Sequence, residues 1–269
     1  MVPKVLVPVV DTPPIQYAVE EAVDAGMDRI VLVMSPGHES VAGYFDSAPE
    51  LEEALERRGD EQALEEMRKI SGLADIEYVY QERPLGLGHA VLTARDAVGD
   101  EPFAVFLPDD LIWNETPTIG AMVEVFQERR GAVVAVREVP DKAVSSLGII
   151  DPKRLGDDVY EVAGMVEKPA LADAPSNLAI IGRYVLPADV FEKIEQVRPG
   201  ALGEIQLTDA ISMLLETQKV FAYEFPGVHF DVGTPVGLLK ASVYSALNRG
   251  QAPAEFRDWL AELLKRPPE

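Results

Sequence analysis

The 269-residue chain contains no cysteine, which removes disulfides, thiolate metal sites and a cysteine nucleophile from consideration. No apolar run approaches the roughly 18 residues that a membrane-crossing helix takes, because charges interrupt every candidate. The first residues show no basic segment followed by an apolar stretch and a small-residue cleavage site. No export signal is therefore expected, and the cytoplasm is the expected compartment. Positive charge is scarce: 24 Lys and Arg stand against 46 Asp and Glu, for a formal net charge of −22. Such a surface repels nucleic acid and anionic membranes, and neither is an expected partner. It also repels a nucleotide unless a bound metal and a few placed Lys or Arg compensate. Much of the acid lies in residues 50–66, which read as a solvated helical face.

The 47% of apolar residues is ordinary for a globular protein and sufficient for a full core. These residues fall in short runs alternating with longer amphipathic stretches, the pattern of a parallel sheet covered by helices. Residues 4–10 read as a strand, and 13–25 as a helix opened by prolines and closed at Gly26. Arg29–Met34 is the next strand, followed by two polar helices, a strand at 76–81 and a helix from about Gly88. Residues 103–107 read as a buried strand ending in Pro108-Asp109-Asp110. A helix over Thr118–Arg129 and a strand at 132–139 follow. From Gly148 to about Leu186 the pattern turns into strands joined by loops, which suggests an antiparallel extension over one end of the sheet. Residues 205–216 are helical, 220–225 a strand, and 235–264 mostly helix. With no repeat and no linker, the expectation is one α/β domain over 1–269.

Ligands of open parallel sheets bind at the carboxyl ends of the strands, so chemistry is sought just after each strand. After 76–81 comes QERPLGLGHA (81–90). The Gln81 amide offers a donor and an acceptor, as a pyrimidine edge requires, and Gly86 and Gly88 let a flat ligand approach backbone amides. His89 reads as a capping or packing histidine. After 103–107 come Asp109 and Asp110, adjacent carboxylates suited to a hard cation such as Mg2+, although a helix cap and a turn aspartate are equally ordinary readings. Asp231, again between a strand-like segment and a helix, is a second candidate ligand. Glu167-Lys168 follows another strand: the carboxylate suits two sugar hydroxyls and the lysine a phosphate, though such a dipeptide alone is usually surface.

Taken in order, QERPLGLGHA, LPDDLI (107–112), MVEKP (165–169), PSNLAIIGRYVL (175–186), GEIQLTDAI (203–211) and FDVGTP–GLLKA (230–241) resemble the successive motifs of bacterial UTP–glucose-1-phosphate uridylyltransferases. These are members of the sugar-1-phosphate nucleotidyltransferases, and the resemblance runs from about residue 11 onward. It implies a Rossmann-like (GT-A-like) domain with a mixed, mostly parallel sheet, helices on both faces and a sugar-binding β extension. It further implies that Gln81 and the Gly86 backbone read uracil, that Asp109 and Asp231 hold Mg2+, that Glu167 grips glucose hydroxyls, and that Lys168 meets the sugar phosphate. Asp110 and the Gly148 backbone are implied on the sugar side. Where the family has Tyr-Gly, this chain has Leu147-Gly148. The implied partners are UTP, glucose-1-phosphate and UDP-glucose, with a homodimer or homotetramer as the assembly. The implied chemistry is in-line transfer, with Asp109, Lys168 and Asp231 as its catalytic residues.

One family feature is absent. The first strand normally runs into a Gly-rich segment with Gly-x-Gly-Thr-Arg and then a Pro-Lys-Glu stretch, and here Val10 is followed at once by Asp11-Thr12-Pro13-Pro14. A family lysine is also replaced by Thr12. Either Pro3-Lys4 corresponds to the Pro-Lys-Glu stretch and the first strand is missing, or residues 4–10 are that strand with the loop excised. The run Val-Leu-Val-Pro-Val-Val favours the second register, in which Lys4 has no catalytic role. Removing one donor at a reacting oxyanion typically slows catalysis by about 10²–10³, and losing several slows it further, though not additively. The expectation is therefore an impaired uridylyltransferase that still binds UDP-glucose. A non-catalytic UDP-sugar-binding or regulatory paralogue is the alternative, and a glycosyltransferase using Asp109-Asp110 a more distant one.

Overall fold

The structure is a computed structural model that describes residues 2–200, 203–248 and 254–265. Its strands are β1 (Arg29–Met34), β2 (Asp75–Tyr80), β3 (Phe103–Phe106), β4 (Asp110–Trp113), β5 (Ala132–Glu138), β6 (Gly148–Arg154), β7 (Val159–Glu167), β8 (Leu178–Leu186), β9 (Val220–Glu224) and β10 (Val228–Asp231). The helices are α1 (Pro14–Asp24), α2 (Glu39–Phe45), α3 (Pro49–Arg58), α4 (Glu61–Ser71), α5 (Leu87–Thr93), α6 (Arg95–Val98), α7 (Thr118–Arg129), α8 (Asp141–Val144), α9 (Val190–Gln196), α10 (Leu207–Leu214), α11 (Pro235–Asn248) and α12 (Ala254–Leu263). The stretch expected as mostly helical near the C-terminus is thus α11 and α12, with 249–253 outside the described residues.

The main sheet runs β3-β8-β5-β9-β7-β6. Alternation along β5 divides its buried residues between two cores. Val134 and Val136 join Ile150, Tyr184, Phe191 and Leu207 under α5, α9 and α10. Val133 and Ala135 join Ile119, Met122, Ile181 and Phe221 under α7. Helices therefore cover both faces, as expected. The ladders differ from expectation: β5 pairs parallel with β9, but β3–β8, β5–β8, β6–β7 and β7–β9 are all antiparallel. Two of these ladders belong to β8, which lies between β3 and β5 instead of extending beyond the sheet, and the other two to β7, which lies between β9 and β6. Every residue of β8 is buried, as an interior strand requires.

The acidic stretch 50–66 folds as α3 and α4. Pro49 opens α3 and Gly59, at φ +69°, closes it. Asp60 then caps α4 by accepting from the Ala63 amide. Arg68 clasps Glu52 and Glu56 across the pair, and α3 buries none of its residues.

The start of the chain corrects the preferred register. Residues Lys4–Leu6 form a turn of 3₁₀ helix, not a strand, with the Leu6 and Val7 amides donating to the Pro3 and Lys4 carbonyls. Val9 then bridges Thr12 through a tight turn that holds Val10 at φ +64°. The physical reason is Pro8: a central strand needs an amide on every residue for its two ladders, and proline has none. As a result β1 and β2 form a separate two-stranded parallel sheet. Among the described residues, β1 pairs only with β2, and β3 only with β8.

Candidate active site

The chain folds β4 and β10 into a short antiparallel ladder whose register sets Asp231 opposite Asp110. The Val232 amide donates to the Asp109 carbonyl at 2.8 Å, so two aspartates more than a hundred residues apart in sequence meet at one strand tip. The Asp231 side chain is oriented by the Gly233 amide, which donates to Oδ1 at 3.0 Å. A methyl group on Gly233 would lie 3.0 Å from both Asp109 Oδ2 and Asp231 Oδ1, so the carboxylates flank one small opening. Burial, with the charges of Asp110 and Asp231, raises the Asp109 pKa above the ordinary carboxylate value. Two acidic oxygens around such a gap fit a hard cation that takes its other ligands from phosphates and water. No set of three or more His, Asp or Glu suited to holding a metal occurs among the described residues.

Asp110 is turned inward. Its Oδ2 accepts from the Gly182 amide on β8 at 3.1 Å, and its Oδ1 lies 2.6 Å from His229 Nε2. A side chain at 182 would collide with Asp110 and Leu107, the methyl falling 2.5 Å from Asp110 Oδ2. This explains glycine within an otherwise bulky strand.

Glu167 ends β7 and lies opposite Gly148 across the β6–β7 ladder. Its Oε2 accepts from the Thr208 hydroxyl at 2.8 Å, and its Oε1 lies 3.4 Å from Lys168 Nζ. The Lys168 amide donates to Leu147, and its φ of +49° turns the chain sharply out of the strand. β8 runs between the two halves, with Gly182 bonded to Asp110 and Ile180 beside Gly148 and Glu167, and the phenol pKa of its buried Tyr184 is raised by burial and then by the charges of Asp110 and Glu167.

Gln81 follows β2, its amide donating to the Met34 carbonyl. Its side-chain Nε2 reaches the Gly86 carbonyl at 3.2 Å and His89 Nδ1 at 2.9 Å. Because a carbonyl only accepts, the NH2 group must face Gly86, which leaves Oε1 as the side chain's acceptor for a ligand N–H. The turn is held from outside: Ile205 accepts from the Gly88 amide at 2.8 Å and donates to the Leu85 carbonyl at 2.7 Å. At φ +97°, with Ile205 O 2.7 Å from any added methyl, position 86 admits only glycine.

Lys4 is the residue the preferred register set aside. Its Nζ donates to the Gly233 carbonyl at 3.2 Å, and its charge acts on Asp109. The Pro-Lys correspondence was the signal for it, and the apolar residues that follow obscured it. Thr208, Gly182 and His229 were not singled out either.

Fold and site together define a class: an α/β enzyme that brings paired aspartates at strand tips to a Glu-Lys pair and a glycine turn, to move a nucleotidyl group. The chain belongs to the nucleotidyl transferase family, whose model matches residues 1–246. It is 43% identical to the UTP–glucose-1-phosphate uridylyltransferase of Bacillus subtilis (strain 168) over 263 residues, 98% of this chain and 89% of that one. It is also similar to a UDP-glucose pyrophosphorylase solved with UDP-glucose (TM-score 0.81, 40% identity, 90% of each chain). A UTP-bound enzyme from Acinetobacter baumannii gives TM-score 0.87 and 39% identity, over 99% of this chain and 92% of the other. Divalent-metal use is general in this family. No helix among the described residues is long and apolar enough to cross a membrane.

Proposed function

We propose that the chain is a UTP–glucose-1-phosphate uridylyltransferase, forming UDP-glucose and pyrophosphate. A glucose-1-phosphate oxygen attacks the α-phosphorus of UTP in line, and the bond to the pyrophosphate oxygen breaks. Gln81 Oε1 and the Gly86 backbone orient the uracil. Glu167 accepts glucose hydroxyls beside the Gly148 backbone, and Lys168 meets the sugar phosphate. Lys4 supplies positive charge toward the leaving pyrophosphate, next to Asp109. Asp109 and Asp231 hold Mg2+, which neutralises triphosphate charge when bound. No covalent enzyme nucleophile is needed, because alignment of two anions and charge neutralisation carry the rate.

The observation that carries this reading is the convergence of Asp109 and Asp231 at one tip, with Tyr184 within the field of both Asp110 and Glu167. A second reading, a UDP-sugar-binding protein with little turnover, is favoured by Thr12, which stands where the family has a lysine. Calorimetry with UDP-glucose, UTP and glucose-1-phosphate, each with Mg2+, and a pyrophosphate-release assay separate the two. Release well below the relatives' rates is expected, with UDP-glucose binding retained. Ordinary turnover removes the second reading, and failure to bind UDP-glucose removes both. We further propose a cytoplasmic homodimer or homotetramer, which sedimentation checks.

A further inference from the structure

Thr208 stands in the first turn of α10, buried to 7% exposure, beside a residue that the proposed reaction assigns to the sugar. Its hydroxyl donates to Glu167 Oε2 at 2.8 Å across 41 residues of sequence. Around this bond the structure leaves little room for any other arrangement. A methyl on Gly148 would lie 3.1 Å from Glu167 Oε2, 3.1 Å from Thr208 Oγ1 and 3.3 Å from Ile180 Cδ1. The glycine therefore admits the pair, and a bulkier residue there would push it apart. Lys168 approaches Glu167 from the other oxygen, 3.4 Å away, but its side chain is half exposed. Of the two partners, the hydroxyl is the one shielded from solvent.

Thr208 is also tied to the other side of the cleft. Three residues earlier, Ile205 holds the turn at Gly86 through hydrogen bonds to Leu85 and Gly88. One continuous segment, 205–208, thus braces the glycine turn after Gln81 and the carboxylate of Glu167.

We propose that Thr208 is a positioning residue that sets the Glu167 carboxylate for sugar recognition, and so governs affinity for the sugar half of a nucleotide sugar. The inference rests on the reading of Glu167 as the group that accepts sugar hydroxyls. The Thr208 hydroxyl donates to Glu167 and lies beside Gly148, both on the sugar side of the proposed site, so its effect appears in the sugar-dependent share of affinity and not in the uracil or phosphate share.

The test compares calorimetric affinity for UDP-glucose with that for UDP, with Mg2+ present, in the full chain and in Thr208→Val, Thr208→Ser and Glu167→Gln. Loss of a hydrogen bond to a charged group predicts that Thr208→Val lowers UDP-glucose affinity about tenfold while UDP affinity stays within about twofold. Thr208→Ser, which keeps the hydroxyl, is expected to keep the UDP-glucose to UDP ratio of the parent. The proposal is overturned if Thr208→Val preserves that ratio, if serine falls as far as valine, or if UDP affinity drops in parallel. Glu167→Gln separates the two layers. A collapsed ratio there with an intact one in Thr208→Val removes only the positioning role. An intact ratio in Glu167→Gln removes the sugar reading of Glu167, and this inference with it.

Discussion

His229 Nε2 lies 2.6 Å from Asp110 Oδ1, and this pair keeps the second of two adjacent aspartates inside the fold while the first faces Asp231. The imidazole stands on β10 and the carboxylate on β4, so the bond ties together the ladder that carries the metal-type pair. Both side chains are largely buried, at 16% and 20% exposure. Replacing His229 by Phe leaves a mostly buried carboxylate without that donor, and the expected cost is about 1–3 kcal/mol. His229→Gln, which retains an amide donor, is expected to recover part of it. Urea unfolding at unchanged m-value measures both.

Asp109 gives a pH- and metal-dependent prediction. Its pKa is raised, first by burial and then by Asp110 and Asp231. A carboxyl raised on folding contributes stability that is fully present below its unfolded pKa and is lost as pH rises through the folded value. At neutral pH the ionised group is therefore a cost to the metal-free protein. Asp109→Asn is expected to raise the metal-free melting temperature at pH 7 by about 2–4 °C, the shift that ~1 kcal/mol produces in a domain of this size. The gain is expected to shrink as pH falls into the ordinary carboxylate range. Added Mg2+ is expected to raise the melting temperature of the parent but not of the variant, and a chelator to reverse it. Equal responses to Mg2+ would remove Asp109 as a ligand.

A buried ion pair supports the same tip from behind. Arg183, at 1% exposure, donates to Glu21 on α1 at 2.8 and 3.0 Å and to the Leu107 carbonyl at 3.0 Å, and stacks over Phe106. It thereby fastens α1 to the residue two before Asp109. Glu21→Ala strands a guanidinium in the interior and is expected to cost about 3–5 kcal/mol. The double change Glu21→Leu with Arg183→Met removes both charges and is expected to cost less than the single one. Chemical denaturation of the variants decides this, and additive losses would mean that the pair is not coupled.

Local pattern made much of this molecule legible. β-branched runs marked β1, β5 and β9, and amphipathic spacing marked α1 and α7, because each signal is contained within its own segment. What remained hidden depends on distant partners. β4 is four residues long and carries Asp and Trp, so it does not read as a strand until β10, a strand-like segment by sequence, is beside it. The interior place of β8 follows from pairing with β3 and β5, not from its composition. Asp109, Asp231, Gln81, Glu167 and Lys168 stood out because each follows a strand. Gly182, bonded to Asp110 across 72 residues, and Thr208 act only through contacts that folding creates. At residues 4–10 the apolar pattern outweighed Pro8, and the missing amide decided the structure.

That first segment yields the remaining prediction. Lys4 is exposed, and its Nζ reaches the Gly233 carbonyl at 3.2 Å beside the paired aspartates. In a chain of net charge −22, a cation at this point is well suited to meet a polyphosphate. Lys4→Met is expected to weaken UTP binding about tenfold, the loss of one charge-assisted contact. UDP-glucose, which has no terminal γ-phosphate, is expected to lose less. Raising ionic strength from low to physiological salt is expected to narrow the difference between parent and variant for UTP, because the interaction is solvent-exposed and therefore screened. Calorimetry with both ligands at two salt concentrations reads all three effects. Equal losses for the two ligands would place Lys4 in support of the loop at Gly233 instead of on the phosphate chain.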